Sequence, residues 1–208
     1  MKKISLLLLL ITSFISAQDK DQKVILITLD GLRWQELFTG ADEKLVANKE
    51  YVANPEELQQ MFWKETPDER RTALFPFVWN FVAESGQIHG NRNVGSKVNL
   101  TNTMWFSYPG YNEILTGAAD DVNIKSNDKI YNPNITILEL LNNTADFKNK
   151  VAACGSWDVF PFIINDERSG INISLAELTL SLKYSSKLFF LSKRLFRKYC
   201  IHYLKSKL

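Results

Sequence analysis

Residues 23–29, Lys-Val-Ile-Leu-Ile-Thr-Leu, form a continuous apolar and β-branched run closed by Asp30-Gly31. A run of that length without alternation reads as a strand covered on both faces, the situation of a strand inside a parallel sheet. Residues 150–154, ended by Gly155, read as a second buried strand. Helical signals lie between the two. Residues 55–63 predict a helix, and Thr66-Pro67-Asp68-Glu69 supplies a cap, a proline at the first helical position and an acid three residues after the cap. Pro76 kinks or restarts that helix, residues 77–83 continue it, and Gly86 stands where a left-handed C-terminal cap is expected. Residues 87–98 read as a polar Gly/Asn-rich loop. Residues 109–115 read as a short helix with Gly117 past its end, and residues 135–141 as another that starts near Pro133 or Asn134. Strands alternating with helices predict an α/β fold, a three-layer α/β/α arrangement around a mostly parallel sheet. A chain of 208 residues, 45% of them hydrophobic, is expected to form one domain and is too apolar for a disordered one.

The first 17 residues open with Lys2 and Lys3, pass through apolar residues 6–11 and end in Phe14-Ile15-Ser16-Ala17, after which the chain turns polar. That is the layout of a secretory signal peptide, with cleavage expected after Ala17 and an exported, periplasmic or secreted product. A membrane span needs roughly 20 apolar residues, more than this run offers. Cys154 and Cys200 are far apart and in no C-x-x-C spacing, which supports neither a disulfide framework nor a zinc knuckle; Cys154 reads as buried filler. The formal net charge of +2 points to no nucleic-acid partner. Its distribution is uneven. Residues 171–208 carry eight Lys or Arg against the single acid Glu177, and the remainder is acidic. The expected organisation is a signal peptide over 1–17, a body over 18–170 and a basic tail over 171–208.

In open α/β sheets the chemistry gathers at the carboxyl ends of the strands, where loops converge above helix N-termini. Asp30 follows the first strand directly, and a carboxylate there can hold a divalent cation; equally, Asp30-Gly31 can be a turn with a helix cap. Ser107, in Phe106-Ser107-Tyr108-Pro109-Gly110, precedes a proline-initiated helix whose free N–H groups and dipole favour an anionic oxygen or a bound phosphoryl group. A serine in that position can also be a simple cap. No histidine lies near it in sequence, so a Ser-His-Asp reading has no local support.

Taken together, residues 24–38 (VILITLDGLRWQELF), the later Ser-Tyr-Pro and the Ile-Leu-Thr-Gly at 114–117 resemble the alkaline phosphatase superfamily. The likeness is to its nucleotide pyrophosphatase/phosphodiesterase-like, phosphoglyceromutase-like and sulfatase-like branch, and it covers the N-terminal part of the pattern. The resemblance implies an alkaline-phosphatase-like α/β/α fold, truncated at its C-terminal side. It further implies Asp30 as a ligand of one of two metal ions, most often zinc, and Ser107 as a nucleophile that is itself metal-bound. Asn127, in Ser126-Asn127-Asp128, stands close to the position of an asparagine that helps hold the phosphoryl oxygens. The implied substrates are small-molecule phosphate mono- or diesters or sulfate esters. Metals suit such chemistry because they lower the pKa of a bound oxygen and, as a pair, can steady both attacking and leaving oxygens.

The complete metal site takes further Asp and His ligands downstream of the nucleophile. This chain has His89, before it, and His202, in the basic tail without an Asp ahead of it. Too few ligands remain for a closed pair of zinc ions, so little or no activity and only weak metal binding through Asp30 and Ser107 are expected. The likeness fades near residue 170, and the change in charge there suggests a disrupted reading frame; the other reading of the tail is a basic amphipathic helix making weak contact with an anionic membrane surface. A non-catalytic exported protein, with Trp34, Trp63, Trp79, Trp105 and Trp157 lining a glycan or peptide groove, is the competing expectation.

Overall fold

The computed structural model describes residues 23–175. The expected signal peptide and tail residues 176–208 lie outside the described residues. Two compact units divide between Trp79 and Asn80.

The first unit is helical. Residues 23–29 form no strand, and Val24, Ile25, Leu26, Ile27 and Leu29 are all exposed, Val24 at 96%. The expected central strand is therefore corrected. An apolar run encodes a preference for burial, but a strand exists only where a neighbour accepts its backbone hydrogen bonds. Asp30 and Gly31 form a turn, with Gly31 at φ 76. Four helices follow: α1 (Trp34–Thr39), α2 (Glu43–Val46), α3 (Pro55–Phe62) and α4 (Pro67–Leu74). The expected cap of α4 is present as a reciprocal box. The Thr66 hydroxyl accepts from the Glu69 N–H at 3.3 Å, and a Glu69 carboxylate oxygen accepts from the Thr66 N–H at 3.1 Å. α1 packs on α4 through Gly40, where a Cβ would lie 2.3 Å from the Arg70 carbonyl carbon, so only glycine permits the approach. Trp79 seals this unit: its ring meets buried Phe38 edge-on at 5.9 Å, its indole N–H donates to the Leu37 carbonyl at 3.0 Å, and the Arg71 guanidinium lies 3.8 Å from its ring centre.

A π-helical turn (Val78–Val82) leads into α5 (Ala83–Ser85). Gly86 does not take the expected left-handed cap, since its φ is −129; its N–H closes the turn on the Val82 carbonyl at 2.8 Å, and a Cβ would press on that oxygen at 3.1 Å. Close approach, not handedness, accounts for the glycine.

The second unit holds α6 (Ser107–Thr116), α7 (Ile137–Asn142), β1 (Ala152–Gly155), α8 (Phe160–Ile164), α9 (Asp166–Ser169) and β2 (Asn172–Leu175). β1 and β2 run parallel in register from Ala152 with Asn172 to Gly155 with Leu175, the crossover being made by α8 and α9. The fold thus continues past residue 170, the expected limit of the body, and Ile171 is buried. Cys154 is half-buried and not a free thiol, contrary to its reading as buried filler. The core joins Tyr108, Tyr111 and Leu115 of α6 to Ile124, Val159, Ile163, Ile164 and Ile171.

Beside this core lies a polar layer of Asn112, Asn132, Thr136, Glu139, Asn142, Asn165 and Ser169, all buried. Arg168 grips Glu139 with two bonds of 2.8 Å and spends its remaining N–H groups on the carbonyls of Asn132, Pro133 and Asn134. Asn132 donates to Asn112 of α6 at 3.1 Å and to the Ile163 carbonyl at 3.0 Å. Removing Arg168 would leave the Glu139 carboxylate, whose side chain is 4% exposed, enclosed without its counter-charge. Arg168→Ala is expected to cost about 3 kcal/mol, read as a lower urea midpoint at unchanged slope; a midpoint equal to that of the parent would disprove the role.

Candidate functional site

Ser107 is the first residue of the ten-residue helix α6, not the residue before it. The helix starts here because Phe106 is extended and Pro109, lacking an N–H, fits the first turn. Three features of this end matter. Phe106, in the capping position, offers no side-chain bond. The Asn127 amide oxygen takes the Tyr108 N–H at 3.0 Å, so the cap comes from a loop some twenty residues on. Among the described residues the Ser107 hydroxyl has no hydrogen-bond partner, and the residue is half-buried. The simple-cap alternative for Ser107 is thereby replaced by a cap from Asn127.

The same bond orients Asn127. With its oxygen held by the helix, its NH₂ group projects from the other branch of the amide and donates to nothing among the described residues. The loop that carries it is pinned on several sides. The Ser126 hydroxyl bonds the Asp128 carboxylate at 2.6 Å, Lys129 meets Asp158 at 2.5 Å, and the Tyr108 hydroxyl donates to the Ile130 carbonyl at 2.8 Å. Burial pushes that phenol up to about 12, which keeps it a neutral donor. Further along, Asp120 accepts from Asn123 and Asn134, and these bonds hold its carboxyl below the usual range. The cleft lined by Tyr108, Lys125, Ser126, Asp128, Ile130 and Tyr131 encloses about 20 Å³, room for one water.

The approach to Ser107 is equally fixed. The Glu113 carboxylate accepts from the Thr101 N–H at 2.6 Å and hydroxyl at 2.7 Å, and from the Asn102 N–H and amide at 2.9 Å each. Asp121 accepts from the Thr103 N–H at 2.9 Å and hydroxyl at 2.7 Å. Trp105, between this segment and the helix, has φ 54 and is 95% exposed. A bulky residue in the left-handed region is a genuine outlier, held there only when its surroundings over-determine it. Neither Glu113 nor Asp121 was anticipated; the available signal was three consecutive residues with donor side chains, Thr101-Asn102-Thr103, just ahead of Ser107.

No protein-family model, curated protein or solved structure matches this chain.

Among the three residues expected at the site, Ser107 and Asn127 are brought to the same helix end in the second unit. Asp30 belongs to the first unit, exposed in the turn with Gly31. His89 is exposed and pairs with the Gln87 amide oxygen at 3.1 Å, and His202 lies outside the described residues. Among the described residues no three His, Cys, Asp or Glu side chains come together to hold an ion. The described residues alone do not assemble the ligand set of the two zinc ions that the resembled family carries. Of the five tryptophans expected to line a groove, Trp34, Trp63, Trp79 and Trp157 are half-buried, and three of these pack on Arg70, on Phe38 with Arg71, and on Tyr111 with Phe160. No described helix is long and apolar enough to cross a membrane.

Glu113 gives this region a pH signature. Burial by itself would raise its carboxyl; the side-chain and backbone bonds from Thr101 and Asn102 outweigh it and bring the group down to about 2. Because the folded value lies below the unfolded value of about 4.3, the stability it lends is complete above that value and is lost as pH falls towards 2. A carbon-13 titration of the Glu113 carboxyl is expected to give a midpoint near 2; a midpoint in the ordinary carboxylate range would mean that the four bonds do not form.

Proposed function

We infer that this chain carries the nucleophile-bearing part of an exported hydrolase of small phosphate mono- or diesters or sulfate esters, built on a three-layer α/β/α scaffold. Ser107 is its acceptor hydroxyl and Asn127 a donor to the ester's oxygens. The supporting observation is the division of labour at the start of α6: Asn127 caps the helix, and the Ser107 hydroxyl is left without a bond among the described residues. An anionic tetrahedral group at this end would meet the Ser107 N–H, the Asn127 NH₂ group and the positive end of the helix dipole, three features of one sign.

Attack is another matter. A serine hydroxyl is almost wholly protonated near neutral pH and needs a base, a lowered pKa or a bound cation to become a good nucleophile. Among the described residues no histidine is hydrogen-bonded to Ser107, and no three His, Cys, Asp or Glu side chains gather to hold an ion. The reading is therefore of a chain that receives the oxyanion but turns esters over far below the roughly 1–10³ s⁻¹ usual for enzymes.

Two measurements test this. Inorganic phosphate or sulfate is expected to shift the amide resonances of Ser107 and the side-chain NH₂ of Asn127, and shifts confined to other residues would refute the site. With nitrophenyl phosphate and bis-nitrophenyl phosphate, turnover is expected to match that of Ser107→Ala. Turnover at an enzyme's rate that both a chelator and Ser107→Ala abolish would overturn the inactive reading while upholding the serine.

A further inference from the structure

The segment before Ser107 doubles back along α6. Ser107 and Glu113 are six residues apart on the helix, about 9 Å along its axis, yet Glu113 binds residues that precede Ser107 by only five and six positions. Leu100 lies on the same flank, its side chain 3.3 Å from where a Gly110 Cβ would be. Glu113 thus ties the second turn of the helix to the segment that leads into it. Its two oxygens take four bonds, the full complement of a carboxylate. Asp121 holds the next residue, Thr103, through one oxygen only. Between Thr103 and Ser107 three residues remain, and one of them, Trp105, takes the left-handed backbone that this short span imposes.

We propose that Glu113 is a positioning residue for Ser107: by anchoring Thr101 and Asn102 to the flank of α6, it fixes the direction from which the chain enters the helix, and with it the orientation of the Ser107 N–H and hydroxyl. This rests on Ser107 being the oxyanion-receiving residue. Glu113 touches no substrate in this account. Its charge alone does not suffice, because the four bonds need the reach of two methylenes. Glu113→Asp keeps the charge and shortens the arm, whereas Glu113→Gln keeps the arm and one accepting oxygen.

Orthovanadate, added to the full chain without metal, is the probe, and its affinity is read from the Ser107 amide resonance. Glu113→Ala and Glu113→Asp are expected to bind at least tenfold more weakly than the parent, with Glu113→Gln between them and the parent. Ile171→Ala, a truncation in the hydrophobic core, serves as the control for lost stability and is expected to keep the parent's affinity at a temperature where it is folded. Should Glu113→Ala fail to fold, Thr101→Val, which removes one bond to the same carboxylate, is expected to weaken binding in the same direction. Parent-like affinity in the folded Glu113 variants, or an equal loss in Ile171→Ala, would overturn the positioning role while leaving the Ser107 site intact. No vanadate effect on the parent chain would overturn the site itself, and the positioning role with it.

Discussion

An enclosed carboxylate must be matched by a partner that stays in place, and the second unit is arranged around one such match, Arg168 on Glu139. The guanidinium is planar and has five N–H groups in a fixed fork, so satisfying all of them dictates where the carbonyls of Asn132, Pro133 and Asn134 can be. Those three residues end the loop that carries Asn127. From them Asn132 reaches Asn112 on α6, and Asn134 reaches both Asn112 and Asp120 near the start of the loop. One ion pair thus holds both ends of the loop against the helix. Polar networks of this kind stabilise only when complete, since each unsatisfied member carries its full desolvation cost.

The placement of Asn127 is the consequence that bears on chemistry. A helix N-terminus usually draws its cap from the residue just ahead of it, and a serine in that role would have its oxygen occupied. In this chain the helix begins two residues earlier than the proline suggests, the capping oxygen arrives from another loop, and Ser107 stands inside the first turn with its hydroxyl uncommitted among the described residues. The cost is borne next door: a tryptophan with φ 54 stores on the order of 1–3 kcal/mol of backbone strain. Glu113 and Asp121 sustain that strained geometry by holding Thr101, Asn102 and Thr103 ahead of it.

What could be read from the chain in advance was what depends on neighbours in sequence. The Thr66 and Glu69 box, the start of α3 at Pro55 and the left-handed Gly117 after α6 all follow from residues within one turn of each other. The arrival of Asn127 at the helix end that begins with Ser107 was legible only as a spacing carried over from a resembled family, because nothing in the composition of residues 120–131 announces a cap. The Arg168 network spans about thirty residues between partners and left no periodic trace. β2 was read as the beginning of a basic tail, although Asn172–Leu175 contains no basic residue and its apolar Ile173 packs against the core. Residues 23–29 failed in the opposite sense: their composition is that of a buried strand, but strand formation is a property of a pair, and the partner is not a local quantity.

That unpaired run has a bearing on how the protein behaves in quantity. Val24, Ile25, Leu26, Ile27 and Leu29 combine high β-propensity with no proline, no glycine and no charge between them, the composition shared by segments that stack into cross-β ribbons. Left open to solvent, such a segment can template its own kind from molecule to molecule. Concentrated solutions of this chain would thus be prone to fibrillar deposits seeded at one short stretch near its beginning, and a single lysine or proline introduced there would act as a gatekeeper.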